Sequence, residues 1–316
     1  MTSRELLYVK TVADEKNISK AAKRLFVAQP SLSQSIQRIE DSIGSKIFIR
    51  GTNGLKLTQA GEKYYQMACQ VLKIYGDFEA EITDINDLRA GHIYFGITNH
   101  LGAIILPGIL PAFYERCPNI SVEIFEGSTT PQENKLIAGD LDFSIMHAPA
   151  SEAEANPSLH YEILADHPFV LALSRQNPLV HRAVPKEGYE HPVLDLELLR
   201  DQPLLTLTKE QRIRHITDSV LKKAGIAPHI RLMSRNYMTL ERLAALDLGY
   251  AMLPGDYVSI NRYNNPPVFL SIDRKYGAYW SLCIATLKNS YLSRADTFLL
   301  EILRKSFSGS TMLKKV

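Results

Sequence analysis

Hydrophobic positions divide the chain into three regimes. In the first, Leu6, Leu7, Val9, Val12 and Ala13 recur with helical spacing, which predicts a first helix ending near Glu15. Asn17 and Ser19 offer caps for a short second helix over Lys20–Leu25, and its Ala21-Ala22 pair permits close packing. Phe26 to Gln29 form a connection, and Pro30 suits the first turn of a third helix. Leu32, Ile36, Ile39 and Ile43 supply that helix with a core face, and Gly44 provides a left-handed stop. Residues 46–50 then read as a strand, Gly51-Thr52-Asn53-Gly54 as a tight turn, and Leu55-Lys56-Leu57 as the returning strand.

The second regime runs from Thr58 to about Leu88 without proline. Apolar residues fall at Ala60, Tyr64, Met67, Val71, Ile74, Phe78, Ile82, Ile85 and Leu88, in steps of three and four. Thirty such residues make a rod of roughly 45 Å, too long to be covered by a small head. The stripe is therefore assigned to pairing with a second copy of the chain, through Tyr64, Met67, Val71, Ile74, Phe78 and Ile85.

From His92 onward strands and helices alternate. Strands over 92–98, 121–127 and 141–146 enclose a helix over Leu101–Arg116 and a second helix beginning at Thr130-Pro131-Gln132-Glu133. That tetrapeptide has the form of a capping box, with Thr130 as cap and Glu133 three residues on. Such a β-α-β-α-β run implies a parallel sheet that binds ligands at the carboxyl ends of its strands. A second α/β unit follows over residues 163–253, and the strands at 268–271 and 279–286 with a helix over Leu292–Phe307 are expected to complete the first sheet. The expected organisation is a winged head over 1–58 (helix-turn-helix about 18–37), a rod over 59–90, lobe I over 91–164 and 268–307, lobe II over 165–267 and a tail over 308–316.

Composition narrows the class. With 45% hydrophobic and 22% charged residues among 316, the chain is an ordinary globular one. No apolar run reaches the ~18 residues of a membrane helix and no secretory leader is visible, so a soluble cytoplasmic protein without membrane contact is expected. Three scattered cysteines (Cys69, Cys117, Cys283) and nine histidines form neither a disulfide framework nor a metal cluster, so no metal or other cofactor is expected. A Gly-rich phosphate loop is absent, and Glu126-Gly127-Ser128-Thr129-Thr130 lacks the second glycine of a nucleophile elbow. No catalytic residues are therefore assigned, and the chain is read as a binding protein rather than an enzyme.

Charge adds a direction. The net +2 conceals a head, residues 1–57, with ten basic residues against five acidic ones, and a remainder at −3. The segment 59–88 alone carries six acids against two lysines. A basic head on an acidic rod indicates a polyanion bound at one end. On the third helix Ser31, Ser33, Gln34, Gln37 and Arg38 form a polar face whose side chains suit base edges and phosphates in a major groove. Gln29 and Pro30 at its start, and Lys46, Arg50 and Asn53 on the hairpin, complete the candidate DNA-binding set.

The stretch from Ile18 to Glu40, with Ala21-Ala22, Gln29-Pro30, Ser33 and Ile36-Gln37-Arg38-Ile39-Glu40, followed by Phe48-Ile49-Arg50 and by Leu57-Thr58 with Gly61, resembles the signature of LysR-type transcriptional regulators. It departs from the usual pattern at Ile18, Ala28 and Gln34, where Phe, Ser and a basic residue are common. Gly139-Asp140-Leu141-Asp142 and Leu248-Gly249-Tyr250-Ala251-Met252-Leu253-Pro254 extend the resemblance more moderately to the body. The resemblance implies an α/β fold with an N-terminal winged helix-turn-helix, a long linker helix that dimerises, and a two-lobed periplasmic-binding-protein-like effector domain. It implies a homodimer or homotetramer that binds an inverted-repeat-like site in double-stranded promoter DNA, responds to a small effector and meets RNA polymerase.

In such a fold the effector lies between the lobes, against strand ends and helix starts. The candidates are Thr98, Asn99, His100, Ser128, Thr129, Thr130, His147, Thr206, Thr208 and Tyr237. Backbone N–H groups at helix starts, with hydroxyl and amide side chains, suit a small anion. Two other readings of the lobes remain: a solute receptor for transport, and a ligand-binding protein without regulatory output.

Overall fold

Caps and apolar spacing set the head. The computed structural model describes residues 1–51, 54–85, 91–149, 151–260 and 265–308. Helix α1 spans Ser3–Glu15 and opens with a capping box between Thr2 and Glu5. The Asn17 side chain accepts from the Lys20 N–H and starts α2, Ile18–Arg24. Helix α3, Gln29–Ile43, has Ala28 as its cap with no side-chain hydrogen bond, so the unusual alanine does remove that contact, and Pro30 sits in the first turn. It ends at Gly44, whose φ of 68° is the left-handed stop that glycine adopts without a Cβ penalty. Leu6, Val9, Val12, Ala21, Leu32, Ile36 and Ile39 meet in one buried core, under a hairpin of β1, Phe48–Gly51, and β2, Gly54–Leu57. Asn53 lies outside the described residues.

Helix α4, Gln59–Ile85, leaves the head at a tight joint. Thr58 Oγ1 donates to the Lys46 carbonyl at 2.6 Å and accepts from the Gly61 N–H at 2.9 Å. A Cβ on Gly61 would run into the Ile47 carbonyl oxygen, so the Leu57-Thr58 and Gly61 pattern has a steric cause. The apolar stripe of α4 serves two purposes. Tyr64, 7% exposed, belongs to the head core, and Met67 and Val71 pack against it. Ile74 at 67% and Phe78 at 59% stay exposed on a single chain, with Tyr75 and Ile82 beside them. The seam expected from Tyr64 onward is thus corrected: its first half is head core, and its apolar surface begins at Ile74. The side chain of Ile85, and Leu88 entirely, lie outside the described residues.

The body is one long mixed sheet crossed twice by the chain. Lobe I begins with β3, Gly91–Ile97, then α5, Asn99–Arg116, then β4, Ile120–Glu126, α6, Thr129–Ile137, and β5, Phe143–His147. Strand β6, Leu159–Leu173, is long enough to leave this sheet and enter the next. Lobe II adds β7, Pro203–Leu207, α7, Arg212–Lys223, β8, His229–Ser234, α8, Tyr237–Ala245, and β9, Tyr250–Pro254. Then come β10, Val268–Ser271, β11, Tyr279–Leu287, and α9, Arg294–Ser308. The strand order is β4-β3-β5-β11-β6-β9-β7-β8. Strand β11 returns to lobe I between β5 and β6, as expected. Strand β10 does not: it pairs Val268 to Ser271 with Leu173 to Val170, the lobe II half of β6. Its four residues cap the free flank of the second sheet instead.

Head and rod are fastened to lobe I by two lysines, Lys10 buried and Lys73 half-buried. Lys10 Nζ lies 3.2 Å from Asp14 and 2.7 Å from Asp140. Lys73 Nζ lies 2.9 Å from Asp77 and 3.4 Å from Asp142, whose other oxygen accepts from the Tyr94 N–H. The Gly139-Asp140-Leu141-Asp142 segment thereby holds the acids that receive both cations. Burial disfavours the ammonium forms, but the surrounding carboxylates outweigh it and raise the pKa of both lysines.

Candidate functional site

Two sites follow from this frame: the outer face of α3 with its hairpin, and the space between the lobes.

On the head, Gln29, Pro30, Ser31, Gln34, Gln37 and Arg38 are exposed and Ser33 is half-buried, while Leu32, Ile36 and Ile39 face inward. One helix therefore presents a polar stripe to solvent and an apolar one to the core. Two expected contacts are partly engaged within the protein. Lys46 Nζ donates to Gln37 Oε1 at 2.9 Å and to Glu40 Oε2 at 2.7 Å, and Gln37 Nε2 donates to Asp41. Glu40 also accepts from the Ile47 and Phe48 N–H groups. Burial pushes its carboxyl up, but Lys46 and the two backbone donors hold it below its ordinary range. Lys46 thus fixes the wing to the reading helix, which leaves Arg50 and Lys56 as exposed hairpin cations without an ion pair among the described residues. The turn between α2 and α3 holds Phe26 at φ 53°, with 96% of its surface exposed.

Between the lobes the sequence candidates separate by burial and contact. His100, Tyr237 and His147 converge. The His100 ring meets Tyr237 edge-on at 4.2 Å, and Tyr257 stands within 5.2 Å of His100 and 4.7 Å of Tyr237. His147 stacks on Trp280 with 17° between planes. Thr98, Thr129 and Thr208 are half-buried at the starts of α5 and α6 and the end of β7. Asn99, Ser128 and Thr130 are exposed, and Thr206 is buried within β7 opposite Met233.

The capping box expected at Thr130–Glu133 does not form. Helix α6 starts two residues earlier, with Ser128 as a cap that makes no side-chain hydrogen bond, and Glu133 turns to the other lobe. Arg212, at the first turn of α7, donates from Nη2 to Glu133 Oε1 at 2.7 Å and from Nη1 to the His147 carbonyl at 2.6 Å. Tyr161 Oη donates to the same Glu133 oxygen at 2.9 Å. One guanidinium thus ties lobe II to α6 and β5 of lobe I. Sequence reasoning missed Glu133 in this role, Arg212, Tyr257 and Trp280. The one available signal was that Trp280 is the chain's only tryptophan and lies in a strand.

Burial governs the electrostatics here. It holds His147 well below the usual histidine pKa, helped by the charges of His167 and Arg212, so the ring is neutral. Burial lowers His100 as well. His147 Nε2 and Trp280 Nε1 are buried without a hydrogen-bond partner, as is Gln211 Oε1 at the start of α7. Native proteins keep few such groups. Among the described residues no cluster of His, Cys, Asp or Glu could hold a metal, and no helix is long and apolar enough to cross a membrane.

A winged helix-turn-helix on a long helix, followed by a two-lobed α/β domain with its polar groups turned to the inter-lobe space, defines a ligand-responsive DNA-binding regulator. The family model for a bacterial regulatory helix-turn-helix protein of the lysR family matches residues 3–62, and that for the LysR substrate binding domain matches residues 86–308. The chain belongs to the LysR family of transcriptional regulators. It is 29% identical over 256 residues to the HTH-type transcriptional regulator AlsR of Bacillus subtilis, covering 80% of each chain. A full-length OxyR variant of Pseudomonas aeruginosa, with one cysteine replaced by aspartate, superposes with a TM-score of 0.74 at 24% identity, over 99% of this chain and 96% of that one. Full-length CbnR complexed with its target DNA gives 0.60 at 21% identity, over 97% of this chain and all of that one.

Proposed function

We propose that this regulator binds inverted-repeat-like promoter DNA as a dimer or tetramer, in the cytoplasm, and that a small anionic effector seated between its lobes resets the DNA geometry of the assembly. Ser33, Gln34 and Arg38 of α3 read base edges, and Arg50 holds the backbone beside them. Two copies pair through Ile74, Tyr75 and Phe78, which are exposed on a single chain. Two heads then read two half-sites and nearly add their binding energies. RNA polymerase is the partner that receives the output.

The observation that carries the effector reading is the Arg212 bridge to Glu133 and the His147 carbonyl, beside two buried ring nitrogens without partners. A bridge of this kind has two states, and a ligand that prefers one biases the lobes. That CbnR is known in a complex with its target DNA supports the DNA reading by likeness of fold. The test is a gel-shift titration of the protein's own promoter region against random DNA. Preference for the promoter is expected, with log affinity falling against log salt at a slope near −0.9 per phosphate neutralised. Equal binding to both DNAs overturns the assignment.

A further inference from the structure

Among the described residues, the side chains of Ser33, Gln34 and Arg38 on α3 make no hydrogen bond or ion pair within the protein. Gln37 follows Ser33 by one helical turn and is exposed beside them, yet both polar atoms of its amide are engaged. Its Oε1 accepts from Lys46 Nζ at 2.9 Å, and its Nε2 donates to Asp41 Oδ1 at 2.6 Å. The partners dictate which end of the amide is which. An ammonium only donates and a carboxylate only accepts, so turning the amide over would break both bonds. Each bond has one charged partner and is stronger than a neutral one.

Lys46 stands where α3 meets the wing, after the left-handed stop at Gly44 and before β1. Its Nζ also donates to Glu40 Oε2 at 2.7 Å, and its carbonyl accepts from Thr58 Oγ1. Buried Glu40 takes the Ile47 and Phe48 N–H groups, so the root of the hairpin is held from inside. Gln37 grips the same root from the reading face. A glutamine reads adenine by donating from Nε2 to N7 while accepting at Oε1 from N6. To do so, Gln37 must swing off Lys46 and Asp41, giving up two charge-assisted bonds and loosening the wing.

We infer that Gln37 is a positioning residue and not a base reader: it holds Lys46, and through Lys46 the hairpin, so that Arg50 meets the DNA backbone while Ser33, Gln34 and Arg38 meet the bases. The inference rests on the reading of α3 and its hairpin as the DNA-binding face. The base pair that faces Gln37 then carries no sequence information.

The test is a double-mutant cycle in the full chain, with gel-shift titrations on the promoter fragment and on random DNA. Gln37→Met keeps the length of the side chain and loses both bonds. It is expected to weaken binding to the two DNAs by the same factor, about threefold, with an unchanged melting temperature because the residue is exposed. Arg50→Ala is expected to cost about tenfold on both. In the Arg50→Ala background, Gln37→Met should cost nothing more, because the contact that Gln37 positions is already gone. A second arm changes each base pair of the footprinted site in turn, and Gln37→Met should discriminate at every position as the wild type does. Losses that multiply in the double variant, or discrimination lost at one base pair, make Gln37 a reader and overturn the inference while the DNA-binding face stands. Wild-type affinity of Gln37→Met overturns it as well, since the wing then needs no such hold. A melting temperature lowered by several degrees makes the effect one of folding and does the same. Equal binding of the wild type to promoter and random DNA removes the DNA-binding face and this inference together.

Discussion

Replacing Asp296 by Asn removes one buried ionisable carboxyl from the start of α9 and should flatten the alkaline side of the protein's pH–stability profile. Burial raises the Asp296 pKa from 3.8 to about 7, and the nearby Asp142 charge adds to it against the opposing Ser293 hydrogen bonds and Lys73. One of its oxygens is buried without a partner, while the other accepts from the Ser293 N–H at 2.9 Å and from Ser293 Oγ at 2.7 Å. Asn keeps that accepting oxygen, so the cap survives the substitution. A carboxyl whose folded pKa lies above its unfolded one binds more protons when folded, so stability falls as pH rises from about 4 through about 7. At 1.36 kcal/mol per pKa unit the full loss is about 4 kcal/mol, a minor part of it present at pH 5 and nearly all at pH 8. Urea unfolding followed at Trp280 measures it, at fixed slope against denaturant. Between pH 5 and 8 the wild type should lose about 3 kcal/mol more than Asp296→Asn, which becomes the more stable of the two at pH 8. Lys73→Met, which removes the nearby cation, should make the wild-type decline steeper. Parallel profiles for wild type and Asp296→Asn would refute the reasoning.

Three further outcomes are expected. Gly61→Ala drives a Cβ into the Ile47 carbonyl and should cost the head about 1–3 kcal/mol, read as a lower melting temperature and lost DNA binding. Ile74→Asp with Phe78→Asp should yield folded monomers in sedimentation, because both side chains are exposed on one chain, whereas Tyr64→Asp should unfold the head; dimers surviving the first pair would remove the seam from the rod. Arg50→Ala should weaken binding to all DNA alike and lower the salt slope by about one, whereas Ser33→Ala should erode promoter preference, a division that titrations on promoter and random DNA check directly.

The head was legible because its determinants are local. Asn17 caps three residues on, Gly44 ends α3 where the apolar spacing stops, and Leu32, Ile36 and Ile39 declare an inward face within two turns. The space between the lobes was not, because its partners meet only after the sheet is ordered. Glu133 stands three residues after Thr130, which satisfies a capping pattern, yet its partner Arg212 is 79 residues away. His147 and Trp280 stack only because β11 inserts beside β5 from the end of the chain, and no periodicity encodes that insertion. The same blindness placed β10 on the wrong sheet: Val268–Ser271 has the composition of an edge strand for either one. In the rod, an apolar step of three or four residues signals a covered face without saying what covers it. Head core takes Tyr64 and Met67, and solvent or a second copy takes Ile74 and Phe78.

Net charge behaves in the same way, giving an amount without its placement. Of the head's ten basic residues, Lys10, Arg24 and Lys46 are bound to Asp14, Glu15 and Glu40. Each pair consumes one acid with its base, so the surplus of +5 survives, now carried by seven cations against Glu5 and Asp41. The bound three have become structure: Lys46 sets the wing on the reading helix, and Lys10 reaches on to Asp140 of lobe I. Association with a phosphate backbone releases counterions only for cations free to approach it, so the salt slope reports the unbound set rather than the sequence total. On the proposed reading, Lys10 then matters to DNA binding through the seat of the head on lobe I, and Arg50 through contact.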